Sequence, residues 1–225
     1  MRDTSTLVGD VLGGTYRVDR RLGAGGMGAV FEATHVRTGR RYALKVLLPE
    51  VAVRREAVDR FRREAEAVGA LGHANVVAIH DFVVEEEWAY LVMDRLEGED
   101  LAARLERLGR LSLGEVLSVA DGIAAGLEAA HAHGLVHRDL KPANVFLAHQ
   151  PGAPERPVLL DFGLAKSFAR EDSAKLTASG VVLGTPQYMS PEQAAGHRLD
   201  ARADLYAFAT IVYEMLAGRP PFEAP

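Results

Sequence analysis

Apolar residues recur at two different periods along this chain, and the changes of period mark its elements. The run from Tyr16 to Leu22 alternates and predicts a strand. Val30 to His35 and Arg41 to Leu47 predict two more, joined by Thr38-Gly39 as a hairpin turn. The period then lengthens. Val58, Phe61, Ala65 and Val68 fall at helical spacing, and Glu64 shares their face while Glu66 does not. His73-Ala74-Asn75 breaks that helix, and Val76 to Val84 and Trp88 to Met93 read as strands paired around the acidic turn Glu85-Glu86-Glu87. A short helix is predicted over Asp100 to Leu108. A longer one follows, with Ser112 and Glu115 as a capping box and Leu113, Val116, Leu117, Ala120, Ile123, Ala124 and Leu127 along one face as far as Gly134. Val145-Phe146-Leu147 and Val158-Leu159-Leu160 read as short strands around a proline-containing loop, 148–157, and residues 164–190 lack periodicity and read as a loop. From Asp204 a helix is apolar almost all round, through Phe208, Ile211, Val212, Met215 and Leu216, which predicts burial; Gly218 and Pro220-Pro221 stop it. Residues 1–14 are polar and read as a weakly ordered leader.

Composition narrows the function classes. At 225 residues, 48% hydrophobic and 25% charged, the chain is long enough for one large domain or two small lobes. Its 26 basic against 31 acidic residues argue against nucleic acid as a partner, which favours a strongly basic surface. With no cysteine, disulfides and cysteine–zinc sites are excluded, in keeping with a cytoplasmic location. No apolar stretch reaches membrane-spanning length, since Leu205 to Ala217 is short and carries Glu214, and no signal peptide is evident.

The chemistry concentrates in His137-Arg138-Asp139-Leu140-Lys141-Pro142-Ala143-Asn144. Within eight residues it places a carboxylate to orient a hydroxyl, a lysine for phosphate charge and an oxygen ligand for a hard cation, the components of phosphoryl transfer. Upstream, Gly23-Ala24-Gly25-Gly26-Met27-Gly28 is a GxGxxG, which also opens dinucleotide-binding folds. Such folds need a helix directly after the glycines; here a strand follows, so the glycines bridge two antiparallel strands as a flap. Downstream, Asp161-Phe162-Gly163 stands one short hairpin after the octapeptide, and Ser190-Pro191-Glu192 closes the aperiodic segment.

Together these motifs resemble the catalytic domain of a bacterial serine/threonine protein kinase of the eukaryotic-like type, over about residues 16–222. The resemblance implies an α+β fold of two lobes, a small antiparallel-sheet lobe with one key helix and a mainly helical lobe. Its boundaries fall at 15–94, a hinge at 94–98 and 99–225. It implies ATP as cofactor, with Mg²⁺ (Mn²⁺ being able to substitute), and protein substrates phosphorylated on Ser or Thr. By resemblance the nucleotide meets Leu22, Gly23, Ala24, Gly25, Gly26, Gly28, Val30, Ala43, Lys45, Met93, Asp94, Leu96 and Phe146, with Lys45 held by Glu64. Asp139 and Lys141 are the catalytic pair and Asn144 and Asp161 the metal ligands, while His137 packs internally. Asp204 resembles the aspartate that braces the catalytic loop from below. Arg138 is expected to receive a phosphate from Thr177 or Ser179, placed by self-association in trans or by the same molecule.

Two features depart from the pattern. S-P-E stands where A-P-E is usual, and the chain ends at Pro225 where such domains continue with more helices. The helical lobe is therefore expected to be incomplete, with apolar surface near Asp204 left uncovered. A chain that binds ATP without transferring phosphate, and a small-molecule phosphotransferase, share parts of the pattern. The complete set Lys45, Asp139 and Asp161 speaks against the first. The peptide-platform segment ending in G-T-P-Q-Y-M-S-P-E speaks against the second.

Overall fold

A computed structural model describes residues 4–25, 28–47, 55–85, 88–150, 152–162 and 186–222. The chain divides into two compact units, Met1–Ala70 with Ala78–Leu96, and Leu71–Val77 with Glu97–Pro225.

The first unit is a six-stranded antiparallel sheet. Strands β1 (Val11–Leu12), β2 (Tyr16–Gly25), β3 (Gly28–His35), β4 (Arg41–Leu47), β5 (Ile79–Val84) and β6 (Ala89–Asp94) lie in the order β1-β2-β3-β4-β6-β5. Helix α1 (Arg55–Gly69) packs on β5 with the predicted stripe inward: Val58, Phe61, Ala65 and Val68 are all buried, and the Phe61 and Phe82 rings lie 5.1 Å apart. The opposite side of the sheet is closed by Leu7, Leu12, Val18, Phe31, Leu44, Val46, Trp88 and Tyr90.

Two of those residues come from the segment read as a loose leader. Leu7 is fully buried, Leu12 sits in β1 against Tyr16, and the amides of Gly9 and Val18 bond across to Val18 and Asp10. Two isolated leucines carry no periodicity, yet burying each is worth about 1.5–3 kcal/mol, enough to order a short segment.

The second unit contains β7 (Gly98–Asp100), α2 (Leu101–Leu108), α3 (Leu113–Ala132), β8 (Val145–Gln150), β9 (Ala153–Leu159), the single-turn α4 (Pro191–Ala194) and α5 (Ala201–Ala217). Asp100 caps α2 through the Ala103 amide, and Ser112 with Glu115 forms the full capping box of α3. The stretch read as a single strand from Val76 to Val84 is divided between the units. Val76 bridges Leu159 and the Val77 amide donates to Leu159 in the second unit, and β5 begins only at Ile79.

The presumed loop 148–157 is largely strand, with β8 and β9 turning at Gly152. Pro157 is accommodated because β9 is the edge of the β7-β8-β9 sheet, where a missing N–H breaks no ladder. The buried face of α3 is also rotated from the predicted one. Val116, Val119, Gly122, Ile123, Gly126, Leu127 and Ala130 face inward, whereas Leu113 and Leu117 are 65% and 62% exposed. The glycines explain the rotation: a Cβ on Gly122 would lie 2.7 Å from the Pro157 ring, and one on Gly126 2.8 Å from Leu159. Helix α5 is one-sided rather than buried all round. It starts at Ala201 under an Asp200 cap and buries Ala203, Asp204, Ala207, Thr210, Ile211 and Met215, leaving Leu205 and Leu216 about half exposed.

Candidate active site

In the first unit, the glycine stretch continues the β2–β3 ladder, with Gly23 opposite Val30, Ala24 opposite Ala29 and Gly25 opposite Gly28. Register slips at Val18/Arg20 and Arg21/Gly23 mark bulges on the approach to it. Leu22, Gly23 and Ala24 are exposed, Val30 is half-buried, and Gly26 lies outside the described residues. The glycines have different reasons to be there. A Cβ on Gly23 would meet nothing within 4 Å, so space is open over that strand; a Cβ on Gly28 would lie 1.9 Å from the Val46 carbonyl, so Gly28 is required by the sheet itself.

Lys45 is half-buried in the middle of the sheet, between Val30 and Leu91, and Ala43 pairs with Met93. Glu64 is half-buried at the edge of the apolar stripe of α1, and Glu66 is exposed. Met93 is buried. The Asp94 carboxylate is taken by His80 (2.7 Å) and Arg40 (3.2 Å), its amide donates to Ala78, and Leu96 is half-buried. One contact has no counterpart in sequence reasoning. Glu32 on β3, buried, accepts from Arg95 Nε (2.9 Å) and Arg20 Nη2 (2.7 Å). The Arg95 bond, with Arg20 assisting, holds the Glu32 carboxyl below its usual range against the opposing effect of burial.

In the second unit, the loop after α3 is built around the buried Asp204 of α5. One carboxylate oxygen accepts the His137 amide at 2.7 Å and the other the Arg138 amide at 2.9 Å. His131 Nε2 lies 2.7 Å from the first oxygen, a partner that nothing near His131 in the sequence announces. The His137 ring is fully buried, 4.5 Å from the Phe162 ring centre. Burial lowers its pKa despite the nearby Asp204, and its contacts fix the tautomer. Nε2 faces the Leu160 carbonyl at 2.9 Å and must donate, while Nδ1 accepts from the Asp139 amide at 3.3 Å. A neutral ring with both nitrogens occupied is a spacer, not an acid or base.

Arg138 is thereby held at φ 63°, in the left-handed region. The next residue, Asp139, presents a partly exposed carboxylate whose Oδ2 lies 3.0 Å from Lys141 Nζ. Pro142 opens a 3₁₀ turn to Asn144, and the buried Asn144 amide nitrogen donates to Asp139 O (2.7 Å) and Oδ2 (3.2 Å). Its carbonyl oxygen is therefore the atom it can offer a cation. The Asn144 backbone oxygen accepts from Leu160, which sets Asp161, at φ 54°, one residue beyond. Phe146 is half-buried on β8 between Asp100 and Val158. Gly163, Thr177 and Ser179 lie outside the described residues.

One carboxylate and one amide oxygen are hard donors. Among the described residues no three or more His, Cys, Asp or Glu converge, so a cation here would take most of its shell from phosphate oxygens and water, as Mg²⁺ does. The donor set fits that ion.

Comparison with known proteins bears on the family and the fold. A family model described as "Protein kinase domain" matches residues 16–225. The chain is 45% identical over 209 residues to serine/threonine-protein kinase Pkn1 of Myxococcus xanthus, covering 93% of this chain and 30% of that protein. It is 42% identical over 224 residues to serine/threonine-protein kinase PknA of Mycobacterium tuberculosis, covering 97% of this chain and 50% of that one. Of solved structures, the kinase domain of Mycobacterium tuberculosis PknI superposes with a TM-score of 0.77 at 33% identity, over 98% of this chain and 82% of that one. The fold is thus that two-lobe α+β architecture, and the chain spans 30% to 50% of the length of these two curated relatives.

Proposed function

The chain belongs to the protein kinase domain family, and on that premise we propose that it transfers the γ-phosphate of ATP to serine or threonine hydroxyls of proteins. The observation that carries this reading is the loop geometry of Asp139. Its carboxylate is partly open to solvent and hydrogen-bonded to Asn144 and Lys141, on a backbone pinned to buried Asp204. Mg²⁺-bound ATP supplies the phosphoryl group and neutralises its charge when bound.

The chain's own residues do the rest. Asp139 orients the substrate hydroxyl and takes its proton as the oxygen bonds to phosphorus and ADP leaves; a base in this role contributes about 10²–10⁴ in rate. Lys141, 3.0 Å from Asp139, places a positive charge beside the developing anion. Asn144 and Asp161 would hold the cation, with Mn²⁺ able to replace Mg²⁺. The open strand at Gly23 would let the backbone approach phosphates. Leu22, Ala24, Gly25, Gly26, Gly28, Val30, Ala43, Met93, Asp94, Leu96 and Phe146 would line the nucleotide, with Lys45, held by Glu64, on its α- and β-phosphates. Activation would follow phosphorylation of Thr177 or Ser179, in trans between two copies, with Arg138 receiving the phosphate through charge-assisted bonds. A cytoplasmic setting fits the absence of cysteine, and among the described residues no helix is long and apolar enough to cross a membrane.

Intact-mass spectrometry after incubation with Mg²⁺ and ATP tests the reading, with Asp161→Asn as control. Phosphate added to the wild type alone and mapping to Thr177 or Ser179 is the expected result. An unmodified wild type that also leaves Ser/Thr peptides untouched overturns it in favour of an ATP-holding scaffold. Equal activity in a Thr177→Ala, Ser179→Ala double variant removes the regulatory part.

A further inference from the structure

The peptide plane joining Arg138 to Asp139 is held at both of its polar ends, and one of the two partners lies far away in the chain. The Asp139 N–H points to the His137 ring nitrogen at 3.3 Å and the His137 carbonyl at 2.8 Å. The Arg138 carbonyl accepts from Gln193 Nε2 at 2.8 Å. A carbonyl can only accept, so the contacting atom of Gln193 must be its NH₂ group.

Gln193 is itself firmly placed. It is the third residue of α4, its amide donates to the Oγ of fully buried Ser190, and Pro191 stiffens the first turn. In S-x-x-Q at a helix start, the glutamine ordinarily turns back to its own cap; here its amide nitrogen leaves the helix for the catalytic loop. The same segment is tied separately to α5, where Tyr188 donates to Glu214 Oε2 at 2.6 Å.

The plane being held is the one that aims the base. Arg138 sits at φ 63°, a conformation non-glycine residues leave when released, and any rotation there is passed to the Asp139 Cα and its carboxylate. Asp204 fixes the amide side of Arg138, and Gln193 holds its carbonyl side. We propose that Gln193 is a positioning residue for Asp139, locking the Arg138–Asp139 peptide plane and so tying segment 186–194 to the catalytic loop. This assignment rests on the kinase reading above.

The test compares the wild-type chain with Gln193→Met, which keeps length and removes the donor, and Gln193→Glu, nearly isosteric but opposing a carboxylate to the carbonyl. With a Ser/Thr peptide and saturating Mg²⁺ and ATP, Gln193→Met should lower kcat about tenfold, the effect of one lost hydrogen bond in the transition state, with KM for ATP unchanged. Gln193→Glu should fall further near pH 8. Its kcat relative to wild type should recover toward about pH 5, where a protonated carboxyl can again donate to Arg138; Gln193→Met should show no such recovery. A merely structural role gives both variants the same pH profile. A kcat for Gln193→Met within twofold of wild type, or identical relative profiles for the two variants, overturns the assignment while leaving the kinase reading intact. If Gln193→Met does not fold, the relative profile of Gln193→Glu alone decides: recovery supports the role and a flat ratio overturns it. A wild-type chain that phosphorylates nothing overturns both.

Discussion

Replacing Asp204 by alanine should damage stability and rate together, and the geometry sets how much. The side chain is 1% exposed and accepts from the His137 and Arg138 amides at 2.7 and 2.9 Å, with His131 Nε2 at 2.7 Å. Alanine strands two backbone donors inside the second unit. Each stranded donor costs about 1–3 kcal/mol, or about 2–6 for the pair. Alanine's better helix propensity returns about 0.5 kcal/mol, so a net loss of about 2–5 is expected. For a domain of this size each kcal/mol shifts Tm by about 2–4 °C, which predicts a fall of about 4–20 °C by calorimetry. The strained Arg138 is released as well, so kcat should drop by at least about tenfold beyond any loss of folded protein. Amide hydrogen exchange gives the direct readout: the His137 and Arg138 N–H groups should lose protection. Unchanged exchange at those two amides, or a Tm within about 2 °C of wild type, would refute the brace.

Asp139→Asn should reduce phosphotransfer by about 10²–10⁴ while ATP still binds, measured by peptide phosphorylation alongside nucleotide titration. Glu32→Gln should destabilise the first unit by about 1–3 kcal/mol at neutral pH, as buried bonds to Arg95 and Arg20 weaken. Because the folded Glu32 pKa lies below its unfolded value, this contribution is present above the unfolded value of about 4.3 and is lost as pH falls through the folded one. Wild-type and variant urea midpoints should therefore converge on acidification, and a gap that widens would contradict the ion pairs. Gly126→Ala sets two effects against each other. Alanine gains about 1 kcal/mol of helix propensity, but its Cβ would meet Asn75 O and Leu159 Cδ1, both at 2.8 Å, and overpacking costs about 1–3. Net destabilisation in a thermal melt is expected, and a rise in Tm would show that α3 can retreat from β9.

How much of this was legible in the sequence depends on how far apart the interacting residues lie. The α1 stripe, the Ser112 capping box and the glycine hairpin depend on neighbours within a few positions, and the structure has them where the pattern put them. The 3₁₀ turn from Pro142 to Asn144 is likewise local, whereas the backbone before Asp139 is held from distant Asp204 and Gln193. What escaped depends on distance or on residues without a hydropathy signal. Gly122 and Gly126 count as neutral, yet they admit β9 and turn α3 away from the face that Leu113 and Leu117 suggest. Leu7 and Leu12 are too few to show a period. Glu32 meets Arg95 across 63 positions, and His131 meets Asp204 across 73. Nothing near either residue in sequence announces such a partner.

Among the described residues, the two non-glycine residues with positive φ are Arg138 and Asp161, which flank the proposed base Asp139 and its partner Asn144 in the sequence. Each spends about 1 kcal/mol of backbone strain to present a side chain that glycine would not carry. On the kinase reading proposed above, glycine at either position would relax the backbone and remove a side chain that the transfer needs, so heat resistance and turnover would pull in opposite directions. A library of this chain sorted only for survival at high temperature should gather inactive Arg138→Gly and Asp161→Gly variants among its winners. A sort that also demands phosphate transfer should discard them.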